Sequence, residues 1–331
     1  MHYIHYVIRF VFILLFSLFF EACSSNTQED TDPKQKVQLS IAFASWPGFD
    51  IIYFAQEYKL FQKHGVEVKL IKYPDQESVT QAMQELKVDA AMISIWDVLM
   101  LQGKHPYDIL LTTNVSNGAD GIVAEKRVTS IKELKGKKVA TVKNSVNELI
   151  LLEALQSAHM SFNDIKLIDM SNEEAVAALF HKKVSAAVVW EPLLTQTKKK
   201  IHGNIIFTTK DVNSSVIDVL IVDNESLQTK AAAWRKFLHA WYEMMEIQKR
   251  NKPMVMQIVS EKTINPNFAQ DYSGLEAGDL ELNREMFLNN RLKKTMHVIT
   301  TLKERTQEQA PIYINTQFVK ESIESYKKGD I

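Results

Sequence analysis

Three tryptophans and a group of carboxylates fall where the strand-like runs of this chain come to an end. Those ends are residues 44–49, 72–76, 94–97, 114–116, 143–147 and 190–191. In open α/β sheets, ligands bind beyond the carboxyl ends of the strands. With two crossover positions added, the ends gather Trp46, Phe49, Trp96, Asp97, Ser116, Asp120, Asn147, Trp190, Glu191 and Asp218. Aromatic faces and carboxylates suit a solute with a cationic or amine-bearing group. Anion binders instead need arginine, lysine or helix N-termini. The strand ends hold no arginine, and Lys72 and Lys143 are the nearby cations. The expected ligand is therefore a small amine, an amino-substituted heterocycle, or a zwitterion whose acidic end rests on helix N-termini.

Each of these residues also has a structural reading. Trp46, just before Pro47, could pack the chain against itself. Trp96 sits in the first turn of an apolar helix and fits core as well as cleft, and the same choice holds for Trp190. Ser94 and Asp97 have capping-box spacing, so Asp97 could serve only its own helix. Glu191 precedes Pro192, and proline favours the first helical position, so Glu191 could be a cap. Asp120 and Asp218 flank crossovers and could simply hold a hinge. Ser145 reads as a helix cap, with Asn147 free to face the cleft.

Other chemistries find little support. Cys23 is the one cysteine of the chain, so the body beyond it has no disulfide and no thiolate metal site. The seven histidines of the body are scattered, with no pair at helical metal-ligand spacing. No nucleophile elbow, phosphate loop or zinc motif occurs. The net charge of -1 gives no reason to expect nucleic acid. The expectation is binding without catalysis, with no metal or cofactor.

The elements that must position these residues alternate between strand and helix. Strand patterns cover 37–43, 66–72, 90–93 and 109–113, with helical patterns at 49–59, 76–86 and 94–102 between them. A second run has strands at 122–124, 139–142, 165–169, 184–189 and 205–208, with helices at 146–159, 173–182 and from 192. Capping boxes mark Ser130–Glu133, Ser145–Glu148 and Ser171–Glu174. A last strand, 218–222, precedes a long helix. There Trp234, Phe237, Leu238, Trp241 and Met245 make one apolar face. Helices then continue to about residue 328. Strands alternating with helices indicate an α/β fold with a mostly parallel sheet. At 46% hydrophobic and 24% charged, the chain has the composition of a globular protein, and its body is long enough for two lobes.

The first 23 residues read as an export signal. His2, His5 and Arg9 precede an apolar run, 11–20, of h-region length. Cys23 follows Ala22, as in a bacterial lipoprotein cleavage box, although Glu21 stands where such boxes carry a small or aliphatic residue. An ordinary signal peptide and an uncleaved anchor are the other readings, and all three place the body outside the cytoplasm. Residues 24–36 are polar and read as a flexible tether.

Several segments together resemble the nitrate/sulfonate/taurine-type substrate-binding proteins of ABC importers. Trp46-Pro-Gly, the run from Phe54 to Phe61 and Gly65-Val-Glu-Val68 resemble the family's opening, with Tyr58-Lys59 departing from its pattern. Ser116 to Gly121 is similar to the entry into its second lobe. Leu134-Lys-Gly136-Lys-Lys-Val-Ala140 and Val184 to Pro192 resemble two further segments, Ser185 standing where aspartate is usual. The resemblance implies a two-lobed periplasmic-binding-protein fold of type II, each lobe a mixed sheet flanked by helices. Lobe 1 would comprise 37–117 plus 218–331 and lobe 2 118–217, with hinges near 116–121 and 213–218. It implies a solute held between the lobes, permease and ATPase partners, and a monomer in the periplasm or cell envelope; the Cys23 box adds the expectation of a lipid anchor to a membrane. A ligand-sensing module for a receptor is an alternative. Fungal thiamine-pyrimidine synthases also resemble this family, but their chemistry is associated with a cysteine-rich motif absent here.

Overall fold

The computed structural model describes residues 37–212, 215–302 and 309–329. The export signal, Cys23, the tether and Asn213 lie outside the described residues. Two mixed sheets organise what is described. The first uses β1 (Gln38–Ala44), β2 (Glu67–Tyr73), β3 (Ala90–Ser94) and β4 (Tyr107–Ser116). The second uses β5 (Asp120–Ala124), β6 (Lys138–Thr141), β7 (Lys166–Asp169), β8 (Ala186–Trp190) and β9 (Asn204–Thr208). The chain then returns to the first sheet with β10 (Ile217–Asp223), β11 (Leu275–Ala277) and β12 (Ile312–Ile314).

Lobe 1 has strand order β11-β4-β10-β3-β1-β2, with β12 also pairing with β4; lobe 2 has β7-β6-β8-β5-β9. β1 is parallel to β2 and β3, whereas β10 lies antiparallel between β3 and β4. β3, β4 and β5 are buried along their whole length, as expected of strands covered on both faces. The chain passes from the first sheet to the second after Ser116 and returns to it after Thr208; the strands of the first sheet are called lobe 1 below and those of the second lobe 2.

The long helix, Ala231–Arg250, lies over lobe 1. Trp234, Phe237, Leu238, Trp241 and Met245 are at most 1% exposed. Each such side chain contributes roughly 1.5–3 kcal/mol on burial, so this one apolar stripe is a major tie between helix and sheet. The last helix ends at Lys328, with Gly329 at φ 73° closing it.

Several local expectations change. The helix expected over 94–102 is a single turn, Ile95–Val98. The one expected over 49–59 is broken into Pro47–Asp50 and Ile52–Glu57. Short apolar segments fit several conformations, and here tertiary packing decides. Of the three boxes, Ser171–Glu174 forms in full. At Ser145 the serine accepts from Asn147 and Glu148 takes the amide of Asn144. At Ser130 no side-chain cap forms, and Glu133 instead takes the amide of Thr129. β11 and β12 have no counterpart in the sequence reading, because three residues are too few to show a period.

Candidate functional site between the lobes

The ends of β1, β3, β4, β8 and β10 converge at the crossovers. From β1 the chain enters the helix Pro47–Asp50 through Trp46, and from β8 it leaves through Trp190. The two indoles meet edge to face, their centroids 6.4 Å apart and their planes 83° apart. Trp46 belongs to lobe 1 and Trp190 to lobe 2, so this contact bridges the lobes.

Trp46 is fixed from below. Its Nε1–H donates to Asn114 Oδ1 at 3.4 Å. Gly48 makes the approach possible: a Cβ there would lie 2.2 Å from Asn114 Nδ2. Asp218 is the second residue of the central strand β10, opposite Ser94 and Asn114. Burial raises its carboxyl well above the ordinary range, and Asp120 adds to this, against hydrogen bonds from Asn114 and Trp46. Asp97 contributes a further negative charge to Asp218 and accepts the Ser94 hydroxyl at 2.7 Å. The capping reading of Asp97 and its place beside the acids are thus both realised.

Asp120 opens β5, paired with Trp190. It is 2% exposed and its Oδ2 has no hydrogen-bond partner. Burial lifts it to about 7; Ser116 opposes this by a hydrogen bond, while Glu153 and Glu191 push further up. The Ser116 hydroxyl in turn meets Thr209 Oγ1 at 2.7 Å, and Thr209 Oγ1 accepts the amide of Gly118 at 2.8 Å. A chain of hydrogen bonds therefore ties both crossovers to the buried carboxyl. Glu191 accepts the amide and hydroxyl of Thr195, so it does cap the following helix. Burial also raises it, and Asp271 of lobe 1 adds to the rise.

The other expected residues take packing positions. Phe49 and Trp96 are 3% and 4% exposed and belong to the main core, which also takes in Trp46. Asn147 is fully buried; its amide nitrogen donates to Asn172 Oδ1 and to Val188 O, joining the helix Val146–Ser157 to β8. Of the two lysines, Lys72 donates to the Ser45 hydroxyl and lies 4.0 Å from Asp50. The backbone amide of Lys143 donates to Asp169.

Sequence reading did not single out Asp50, Asn114 and Thr209. Asp50 is buried with Oδ1 lacking a hydrogen-bond partner, and burial lifts it to about 6 against Lys72 and Ser45. Its signal was position, one helical turn past Trp46. Asn114 lay in a noted strand end but carries no charge, and Thr209 is adjacent only through the return crossover. Among the described residues, no group of three or more histidine, cysteine or acidic side chains could hold a metal ion. Among them too, no helix is long and apolar enough to cross a membrane.

Comparison with known proteins agrees with this two-lobed geometry. A sequence model of the NMT1/THI5-like family matches residues 46–247, a span that includes both crossovers, Trp46 and Trp190. The chain belongs to the NMT1/THI5-like family. A protein of Brucella abortus named as a binding protein is 27% identical over 165 residues, which are 49% of this chain and 50% of that protein. The chain thus spans about half the length of the curated relatives that head the comparison.

Solved structures share the fold. The ligand-binding component of an ABC-type import system from Staphylococcus aureus, solved with zinc bound, superposes with a TM-score of 0.68. The two are 15% identical over 87% of this chain and 99% of that one. The periplasmic aliphatic sulphonate-binding protein of Escherichia coli gives 0.63 at 17% identity, over 77% of this chain and 93% of that one. At these identities the likeness concerns the fold.

Proposed function

We propose that this chain is an extracytoplasmic solute-binding protein of an ABC importer, which captures a small organic solute between its lobes and passes it to a permease. The observation that carries this reading is the tryptophan pair bridging two lobes above buried carboxyls. That arrangement can clamp a solute, and it offers no nucleophile or acid–base pair aimed at a reacting bond. Family membership and the binding-protein names of the relatives support it. The body would act as a monomer without catalysis, held in the periplasm or cell envelope by a lipid on Cys23.

The ligand reading favours an amine-bearing, pyrimidine-like or zwitterionic solute. Asp120, Asp218, Asp97 and Glu191 supply acceptor oxygens, and a bound cation would favour the charged form of the carboxyls that burial now raises; Lys72 is turned toward Asp50. A desolvated cation beside indole faces gains about 2 kcal/mol from the rings alone. A thermal-shift and calorimetric screen against amines, aminopyrimidines, sulfonates and nitrate tests it. A ligand at 100 times its Kd should stabilise the fold by about 2.7 kcal/mol. Tight binding of nitrate or alkanesulfonates with none of amines would overturn the ligand class. Turnover of a bound molecule would overturn the binding-protein reading itself.

A further inference from the structure

The net charge of -1 conceals one strongly basic face. It lies at the end of lobe 2 away from the crossovers. Asp120 and Trp190, register partners in β5 and β8, mark the cleft end of that sheet, and Ala124 and Ala186 mark the other. Strands of this length set the two ends about 13 Å apart. At the far end Lys138 and Lys166 begin β6 and β7 side by side. Next comes β8, entered through Lys182 and Lys183. β5 then leaves the sheet through Lys126 and Arg127, and the side chain of Asn204, at the start of β9, donates to the Lys126 carbonyl. All six cationic side chains are exposed. Five strands about 4.8 Å apart make this edge about 19 Å wide.

Stability does not ask for this arrangement. Cations favour helix C-termini, which accounts for lysines just beyond Asn172–Phe180 and at the end of Leu193–Ile201. Lys138, Lys166, Lys126 and Arg127 stand at strand ends instead. Lys138 and Lys166 are direct register partners, and like charges so placed repel. The acids on the same turns are engaged elsewhere: Asp164 faces Lys135 at 3.6 Å, and Glu133 takes the amide of Thr129. Glu125 is half-buried. An apolar tip completes the face. Phe180, the last residue of its helix, is 44% exposed, with Lys200 Nζ 4.6 Å from its ring centroid.

We propose that this face docks on a bilayer surface rich in anionic lipid headgroups. Protein–protein interfaces are depleted in lysine and gather arginine, tyrosine and tryptophan around a desolvated core. Here the balance is reversed, with lysines on flexible stems, one arginine and one exposed ring. Specific phosphate sites use arginine forks or helix N-termini, whereas two helices present their C-termini here. Diffuse lysine charge around a single apolar tip suits a fluid sheet of headgroups. Phe180 would enter the interface while the ammonium groups stay at headgroup level. The cleft, at the other end of lobe 2, stays clear of the bilayer, so the inference stands whatever solute it holds.

Vesicle sedimentation tests this. Residues 37–331 form one compact unit that holds both sheets and both core clusters, so this body is used, free of the apolar run 11–20. The vesicles are phosphatidylcholine alone or mixed with phosphatidylglycerol. Binding should require the phosphatidylglycerol and fall as salt rises. Lys138→Glu, Lys182→Glu and Lys183→Glu together should lower the partition coefficient about a hundredfold, since each cation near an anionic surface is worth about fivefold. Lys252→Glu, Lys320→Glu and Lys327→Glu, exposed on lobe 1, change the net charge equally and should lower it far less. Lys126→Glu with Arg127→Glu, on a neighbouring turn, gives an independent second reading, and melting curves confirm that each variant is folded. Four results would overturn the proposal: no binding to either vesicle, equal binding to both, equal loss in the two triple variants, or binding to polyglutamate with none to vesicles. A cleft that takes no solute leaves these measurements unaffected.

Discussion

Trp46 and Trp190 touch edge to face across the two lobes, 6.4 Å between centroids. One ring is held by Asn114 and the other ends β8, so the pair senses any change in lobe separation. Trp190→Ala should weaken solute binding by about 1–3 kcal/mol while leaving each lobe folded. Calorimetry with the solute found in the screen, beside a melting curve, checks this. An unchanged Kd would remove Trp190 from the site.

Asp120 should make the ligand-free protein less stable as pH rises. Its folded value, about 7, lies above the unfolded value near 3.8, so the folded state holds the extra proton. The contribution is therefore full below about pH 4 and declines as pH climbs to 7. Asp120→Asn should match the parent at pH 4 and exceed it in Tm at pH 8. A Tm difference that does not vary with pH contradicts the assignment.

The crossover into lobe 2 rests on Gly274. Its carbonyl accepts the amides of both Asn117 and Ala119, and a Cβ on it would fall 2.6 Å from Ala119 N. Gly274→Ala must displace this backbone. We expect a loss of about 1–3 kcal/mol together with weaker solute binding, read by denaturant titration and calorimetry. Full stability would mean that the crossover shifts freely.

Asp89 shows the opposite pH sign from Asp120. Burial pushes it up, but Lys230, the amide and hydroxyl of Ser40, and the Ser226 hydroxyl outweigh this and hold it below the usual range. Its stabilisation is present above the unfolded value and fades as pH falls through the lower folded one. Asp89→Asn should cost about 2–3 kcal/mol at pH 7 and less in acid. Denaturant unfolding at pH 7 and at a pH well below 3.8 gives the comparison.

Much of the fold was legible because its signals repeat. The alternation of strands and helices gave the α/β class but pointed to a mostly parallel sheet; β5, β10 and β11 pair antiparallel, so the sheets are mixed, as the resemblance implied. The stripe from Trp234 to Met245 gave the long helix. The strand-end rule picked out Trp46 and Trp190, which the structure brings into contact, whereas Asp120 and Asp218 were added from the crossovers. Less legible were residues whose role depends on distant partners. Asn147 has the same local signature whether it faces a cleft or ties a helix to β8. Asp50 and Thr209 gain meaning only when Lys72, Ser116 and Gly118 come near. The tandem apolar segments after Ser94 and Trp46 carry no periodic signal strong enough to set helix length.

The antiparallel β10 has a consequence for biosynthesis. It fills the gap between β3 and β4, yet it is made only after the whole of lobe 2 has been translated. Lobe 2 is one uninterrupted stretch and can acquire its structure as soon as it emerges, whereas lobe 1 must wait with an open seam for residues 217–223. Long-range closure of this kind is slow and leaves unpaired edges exposed. Truncated chains ending before residue 217 should therefore yield a folded inner lobe flanked by an aggregation-prone N-terminal half.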